Sequence, residues 1–134
     1  MLAAGMLAAF CLFPLIIGSA PHCEDAAFPT DKSIRNLLHK EISGKMSSSP
    51  SYDCDLEDKA QTKFYLLGDD DDGAMSMKTV DTTMSTSNED FVKESVNKWA
   101  ERLGAITATK FGCTFVETDH DGKVEKRTLG CLFA

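Results

Sequence analysis

Four cysteines, at positions 23, 54, 113 and 131, constrain this chain more than any other feature. A fifth, Cys11, lies in a stretch that reads as a removable leader. Leu2 to Ala20 carry no charge, Leu7 to Ile17 is almost wholly apolar, and Gly18-Ser19-Ala20 offers the small residues that a signal peptidase reads. The run falls short of the ~20 residues that span a bilayer and is interrupted by Pro14. Met1 to Ala20 is therefore expected to be a secretory signal peptide. No Lys or Arg precedes the run, and Pro21 would follow the cut, which leaves the cleavage position open by a few residues. Cleavage removes Cys11. An even set of cysteines in a small secreted chain predicts two disulfides. Three pairings are open, and the preferred one joins Cys113 with Cys131 and Cys23 with Cys54.

Residues 21–134 amount to about 114 residues, the size of one domain. So small a domain buries a modest share of its surface, and each crosslink contributes on the order of 2–4 kcal/mol. The net charge of −7 lies entirely outside the leader. Such a chain repels phosphate backbones and anionic lipid surfaces, so neither nucleic acid nor stable membrane insertion is expected. There is no Asn-x-Ser/Thr acceptor. No second long apolar segment follows, and Leu132-Phe133-Ala134 is too short for a lipid-anchor signal. A soluble, extracellular product is expected.

Hydrophobic spacing divides the chain into elements. Thr30 or Asp31 can cap a helix over Asp31 to Ser43, whose apolar face is Ile34, Leu37, Leu38 and Ile42 and whose end is Gly44. Lys45 to Pro50 is a Ser-rich loop. A second helix opens near Asp53. Its early carboxylates Asp53, Asp55, Glu57 and Asp58 suit the helix dipole, and Leu56, Ala60, Phe64 and Leu67 share one face up to Gly68. Gly68 to Asn88 reads as a mobile loop with room for a short strand around Met77 to Val80. Ser87 or Asn88 caps a third helix with the stripe Phe91, Val92, Val96, Trp99 and Leu103, ended by Gly104. Trp99 is read as a core anchor. Then the period changes to two: Phe111, Cys113 and Phe115 alternate with Gly112, Thr114 and Val116. Asp121-Gly122 signals a hairpin turn, and Val124 to Phe133 returns as the partner strand. Counting back from that turn brings Cys113 near Gly130 and Cys131. The order of elements predicts an α+β domain with helices packed on a small antiparallel sheet.

Several segments, in this order, resemble the CAP superfamily in its nematode, Ancylostoma-secreted form. Tyr52-Asp53-Cys54-Asp55-Leu56-Glu57 with Ala60 is similar to the family's tyrosine-aspartate-cysteine-x-leucine-glutamate segment. Leu38 to Ser43 sits where the family has a histidine-asparagine-x-x-arginine helix, of which only His39 survives. Val92 to Leu103 with Trp99, Ala108 to Gly112-Cys113, and Gly122-Lys123 followed by Leu129 to Phe133 around Cys131 resemble its later helix and closing hairpin. The resemblance implies an α-β-α sandwich, with Tyr52, Cys54, Leu56, Glu57, Trp99, Gly112, Cys113 and Cys131 as structural positions. The family's two histidines and two acids that bind a divalent metal are not matched. Gly68 to Asn88 holds no histidine, Trp99 to Thr109 lacks the second one, and His22, His39 and His120 fall elsewhere. No metal, cofactor-binding or catalytic residue is carried over.

Other chemistry is weakly signalled. Asp69 to Asp72 could attract calcium, but adjacent carboxylates repel one another and read better as a solvated loop. Glu117 to Gly122 imitates the start of an EF-hand loop, yet its twelfth position is Thr128 where a bidentate Glu is needed. No histidine is placed to activate a serine or cysteine. The resemblance therefore implies a secreted, non-enzymatic protein without cofactors. By association with its family it would be an excretory or immunomodulatory product of a parasitic nematode that binds a host extracellular protein or small lipid. The alternatives are a disulfide-stapled protease inhibitor presenting Gly68 to Asn88, and, behind it, a hydrolase or metal-dependent enzyme with a rebuilt site.

Overall fold

The computed structural model describes residues 21–23 and 29–134. The proposed leader, Met1 to Ala20, lies outside them. Helix α1 spans Lys32–Lys45, strand β1 Ser51–Tyr52 and helix α2 Cys54–Ala60, which runs on as a π-helical segment over Gln61–Leu66. Strand β2 is Ser76–Asp81, helix α3 Asn88–Ala105, β3 Lys110–His120 and β4 Lys123–Phe133. The sheet order is β1-β3-β4-β2, with β1 parallel to β3 and the other pairs antiparallel.

The helix starts follow their capping residues. The Asp31 carboxylate accepts from Ser33 N, Asp53 from Leu56 N and the Ser87 hydroxyl from Asp90 N. Each satisfies a backbone donor that the first turn leaves open. At the hairpin, Asp121 and Gly122 take φ of 53° and 80°. Two successive positive values make the tight turn whose twist matches the strands it joins.

Alternation along β3 and β4 sorts the sheet into two faces. Phe111, Cys113 and Phe115 oppose Phe133, Cys131 and Leu129. This face meets α1 and α3: Phe111 stacks near His39, and Phe91 lies against Phe115. Trp99 is buried in that core with Leu38, Ile42, Val92, Val96 and Leu103. The other face carries Gly112, Thr114, Gly130 and Leu132, and α2 with its π-helical extension lies on it. At Gly112 a Cβ would stand 2.2 Å from Glu57 N, and at Gly130 2.2 Å from the Phe64 ring. Both glycines are required by close approach. The result is an α-β-α sandwich, as the family resemblance implies.

Cys113 and Cys131 face each other in register with Cα atoms 4.1 Å apart and are joined. That spacing marks a close, non-hydrogen-bonded pair, so the Cys113 N–H and C=O point away from β4. Cys23 is joined to Cys54, with Cα atoms 5.2 Å apart, which ties the start of the described chain to the first turn of α2.

Five expectations change. Gly104 does not end α3, which runs on to Ala105, and Gly44 does not end α1. The helix continues to Lys45 because Ile42 and Met46 draw its last turn into the core, and Gly44 has open space around it. Leu67 leaves the apolar face of the second helix and is 68% exposed. The wider π-helical turn rotates it past the line set by Leu56, Ala60 and Phe64. Within Gly68 to Asn88, the short strand becomes the six-residue β2, paired with β4 from Ser76↔Leu132 to Asp81↔Arg127. The two-residue β1, parallel to β3, was not foreseen, since Pro50 and Asp53 leave too little sequence between them for a period to show.

Candidate functional site

The greatest concentration of buried charge lies where β1 runs out. Beyond Tyr52↔Phe111 the strand ends, and the outward backbone of Cys113 needs other partners. Side chains supply them. The Thr30 hydroxyl donates to Cys113 O at 3.0 Å. The Tyr52 hydroxyl stands 3.3 Å from Cys113 N, which donates to it, and 3.1 Å from Cys113 O. Its own proton goes by a short bond to Glu57 Oε1.

Glu57, in the first turn of α2, receives more than this hydroxyl. From α1, Arg35 Nε donates to Oε1 at 3.0 Å and Arg35 Nη2 to Oε2 at 3.3 Å. Arg35 also donates to Thr30 O at 2.8 Å and to Pro21 O at 3.3 Å. The side chains of Arg35 and Glu57 are 4% and 2% exposed. A pair so deeply desolvated persists only when its remaining donors and acceptors are engaged, as here. Burial, and then the adjacent Glu57 charge, push the Tyr52 hydroxyl far above its ordinary range, so it stays a proton donor. The arrangement holds three charged or polar groups in fixed positions and offers none of them to solvent.

A second buried cation was equally unannounced. Arg127 on β4 lies over the Phe91 ring at 4.7 Å. Its three nitrogens donate to Asp81 Oδ2 at 2.8 Å, Asn88 Oδ1 at 2.9 Å and Thr86 Oγ1 at 2.8 Å. It pins the end of β2, the connecting loop and the start of α3 together. A signal for both arginines was present in the sequence. Arg35 interrupts the Ile34–Leu38 stripe, and Arg127 occupies the apolar phase of Leu129, Cys131 and Phe133.

Of the residues singled out from the sequence, Tyr52, Glu57 and Cys113 meet in this cluster, and the others do not converge on it. Leu56, Trp99, Gly112 and Cys131 lie in the core or pack α2 onto the sheet, and Cys54 opens α2. His39 is lowered from its ordinary value by burial, against a hydrogen bond with the Pro50 backbone that raises it, and packs on Phe111. His22 is near the start of the described chain, and His120 is at the hairpin tip, 3.4 Å from Asp121. Asp69 to Asp72 are drawn to Lys63, Lys78 and Arg102 at 3.1–3.9 Å. Glu117 to Gly122 forms the strand end and turn of the hairpin, an extended course in place of the loop that an EF-hand needs. Among the described residues no group of three or more His, Cys, Asp or Glu side chains is placed to hold a metal ion. None of the helices described is long and apolar enough to cross a membrane.

Openings occur at the surface. One, of about 660 Å³, is lined by Thr83, Met84, Thr118, Lys123 and Lys126 beside the hairpin. A second, of about 460 Å³, lies between the first turns of α1 and α3, with Asp31, Ser33, Glu89 and Glu117 at its edge.

The model of the family described as Ancylostoma-associated secreted protein related matches residues 23–133. No curated protein matches the sequence. Among solved structures, the hookworm platelet inhibitor is similar at a TM-score of 0.63 and 14% identity, over 84% of this chain and 76% of that one. The Ancylostoma-secreted protein Ac-ASP-7 is similar at a TM-score of 0.57 and 16% identity, over 86% and 73% respectively.

Proposed function

From the premise that this chain belongs to the Ancylostoma-associated secreted protein related family, within the CAP superfamily, we propose that it is a secreted, non-enzymatic protein that acts by binding. Its partner would be an extracellular protein of the host, and its role immunomodulatory or inhibitory. Two disulfides support an oxidising compartment. The charge-free stretch before Pro21 supports export.

The observation that carries the binding reading is the fate of the motif carboxylate. Glu57 has both oxygens taken by Arg35 and Tyr52 and is sealed from solvent. The residues that the family motif supplies are spent on bracing the sandwich, which leaves the surface to make contacts. One fold neighbour is named as a platelet inhibitor, which supports an inhibitory role as the first to test.

The experiment begins with the full chain expressed in a secretory cell. The expected product appears in the medium with its N-terminus near residue 21 and both disulfides intact. That product is then applied to an array of host ectodomains and to a panel of hydrolase and protease assays. Saturable binding to an ectodomain, with no turnover of any substrate, is expected. Retention in the cell overturns secretion. Turnover overturns the non-enzymatic reading, and binding only to lipid overturns the protein partner.

A further inference from the structure

The opening of about 660 Å³ beside the hairpin exists because β2 is shorter than β4. Strand β2 ends at Asp81↔Arg127, so β4 from Lys123 to Lys126 has β3 on one side and no strand on the other. The Asp81 carboxylate accepts from the Thr83 N–H at 3.0 Å and from its hydroxyl at 2.7 Å, and that turn leads the chain away. The opening lies between the departing chain, at Thr82 to Met84, and the unpaired stretch of β4.

A bulge decides which side chains share a face there. Thr118 pairs with Lys126 and Asp119 with Val124, so Glu125 is an extra residue in β4. Lys123 and Lys126 are three positions apart, and in a regular strand they would point to opposite faces. The extra residue restores the phase. Residues paired across the ladder share a face, and successive pairs alternate. Thr118, His120, Lys123 and Lys126 therefore fall on one face, and the acids Glu117 and Asp119 on the other. Helix α2 and its extension meet the lysine face at Gly112 and Gly130, while Thr118, Lys123 and Lys126 stay exposed.

The electrostatics follow from this sorting. Neither Lys123 nor Lys126 forms an ion pair among the described residues. His120 is 3.4 Å from Asp121. The Thr83 hydroxyl is engaged by Asp81, whereas those of Thr82 and Thr118 have no partner among the described residues. Glu125 is the one carboxylate among the residues that line the opening. Two ammonium groups thus face one carboxylate, in a chain whose net charge is −7. A local excess of positive charge beside open hydroxyls suits an oxyanion and the polar scaffold that bears it. The acidic remainder of the chain repels an extended polyanion, so the ligand is compact. The volume is that of a small-ligand cleft, roughly 300–1,000 Å³.

We propose that Lys123 and Lys126, set on one face by the bulge at Glu125, bind with Thr82 and Thr118 a sulfate or phosphate ester carried by a compact sugar or polyol. This goes beyond the protein partner proposed above, and neither reading depends on the other.

The test titrates the mature, disulfide-intact protein with sucrose octasulfate and with inositol hexakisphosphate at physiological salt, with uncharged sucrose as control. Calorimetry and amide chemical shifts are the readouts. At least one ester is expected to bind, with shifts centred on residues 82–84, 118 and 123–126, and the tighter of the two identifies the ester. K123Q/K126Q, altered only at exposed positions, is expected to bind about tenfold more weakly. K93Q/K98Q removes the same charge from exposed positions on α3 and is expected to bind as the wild type does. K123V/V124K keeps composition and net charge but moves one ammonium group to the opposite face, and is expected to lose most of what K123Q/K126Q loses. Absence of binding by both esters overturns the proposal. So does equal weakening in K93Q/K98Q and K123Q/K126Q, which marks diffuse attraction by the whole surface. Wild-type affinity in K123V/V124K overturns the role of the bulge and with it the site, as do shifts centred elsewhere. Each of these failures leaves the ectodomain reading standing, since that reading is tested with a different ligand.

Discussion

The guanidinium of Arg35 and the carboxylate of Glu57 meet in a two-pronged contact, at 3.0 and 3.3 Å, between helices on opposite faces of the sheet. They do so at the edge where β1 is only two residues long. The pair closes the sandwich on the side where strand pairing stops.

Breaking this pair should be costly. Arg35→Ala leaves a buried carboxylate without its cation and is expected to lower unfolding free energy by roughly 3–5 kcal/mol. The double variant R35M/E57L removes both charges and is expected to recover most of that loss. Urea unfolding midpoints of the two variants decide the matter. Equal loss in both would mean that packing, and not unpaired charge, carries the cost.

Tyr52 gives the protein an alkaline limit. Its hydroxyl is raised well above the ordinary value of 10.0, by burial first and Glu57 second. The neutral form is thus favoured by folding. The stabilisation is fully present below pH 10 and is lost as pH rises above it, because only the unfolded chain ionises there. In a Tyr65→Phe background, phenolate absorbance should therefore appear together with loss of far-ultraviolet circular dichroism. An ionisation completed while the fold persists would contradict the burial of Tyr52.

Acid should weaken the clamp at Arg127. Asp81 is held below its ordinary value of 3.8, by the Thr83 hydroxyl first and by Arg127 among the lesser causes. Folding favours its charged form. The stabilisation is present above that value and is lost as pH falls through the lower, folded one. Asp81→Asn should flatten the acid limb of the stability curve. Arg127→Met should speed proteolysis between Thr82 and Thr86, the loop that it pins.

The two close-approach glycines should differ in kind. In Gly112→Ala the new methyl meets the α2 backbone at Glu57 and Asp53, which cannot turn aside. In Gly130→Ala it meets the Phe64 ring. Both are expected to destabilise by about 1–3 kcal/mol or more, with Gly112→Ala the larger. Phe64→Leu should partly rescue Gly130→Ala and leave Gly112→Ala unchanged. Thermal midpoints of the four variants provide the check.

Removing the hairpin disulfide should cost less than unfolding the sheet. C113A/C131A opens a loop of 18 residues and is expected to lose about 3 kcal/mol. The hairpin register should survive, because Asp121-Gly122 and the flanking apolar alternation set it independently. Amide exchange over residues 110–133 will show whether it does.

Much of the architecture was legible along the chain. Candidate caps at Thr30 or Asp31 and at Ser87 or Asn88, with a helix start near Asp53, announced three helices. The change from a helical period to alternation after Gly104 announced the hairpin, and the turn at Asp121-Gly122 brought Cys113 opposite Cys131. The outward turn of Leu67 was not legible, because a π-helical turn differs from an α-helical one by a single residue of phase. Arg35 and Arg127 were not singled out, since one charged residue in an apolar stripe does not reveal which partner will neutralise it.

By itself, then, the sequence determined the three helices, the closing hairpin and the family. These depend on neighbours a few residues apart and on cysteines at matching positions. Only the tertiary structure decided what the polar residues do. Glu57 is 22 residues from Arg35, and Arg127 is 46 from Asp81. Whether such groups are catalytic, exposed or sealed depends on long-range desolvation and pairing, which no local pattern encodes.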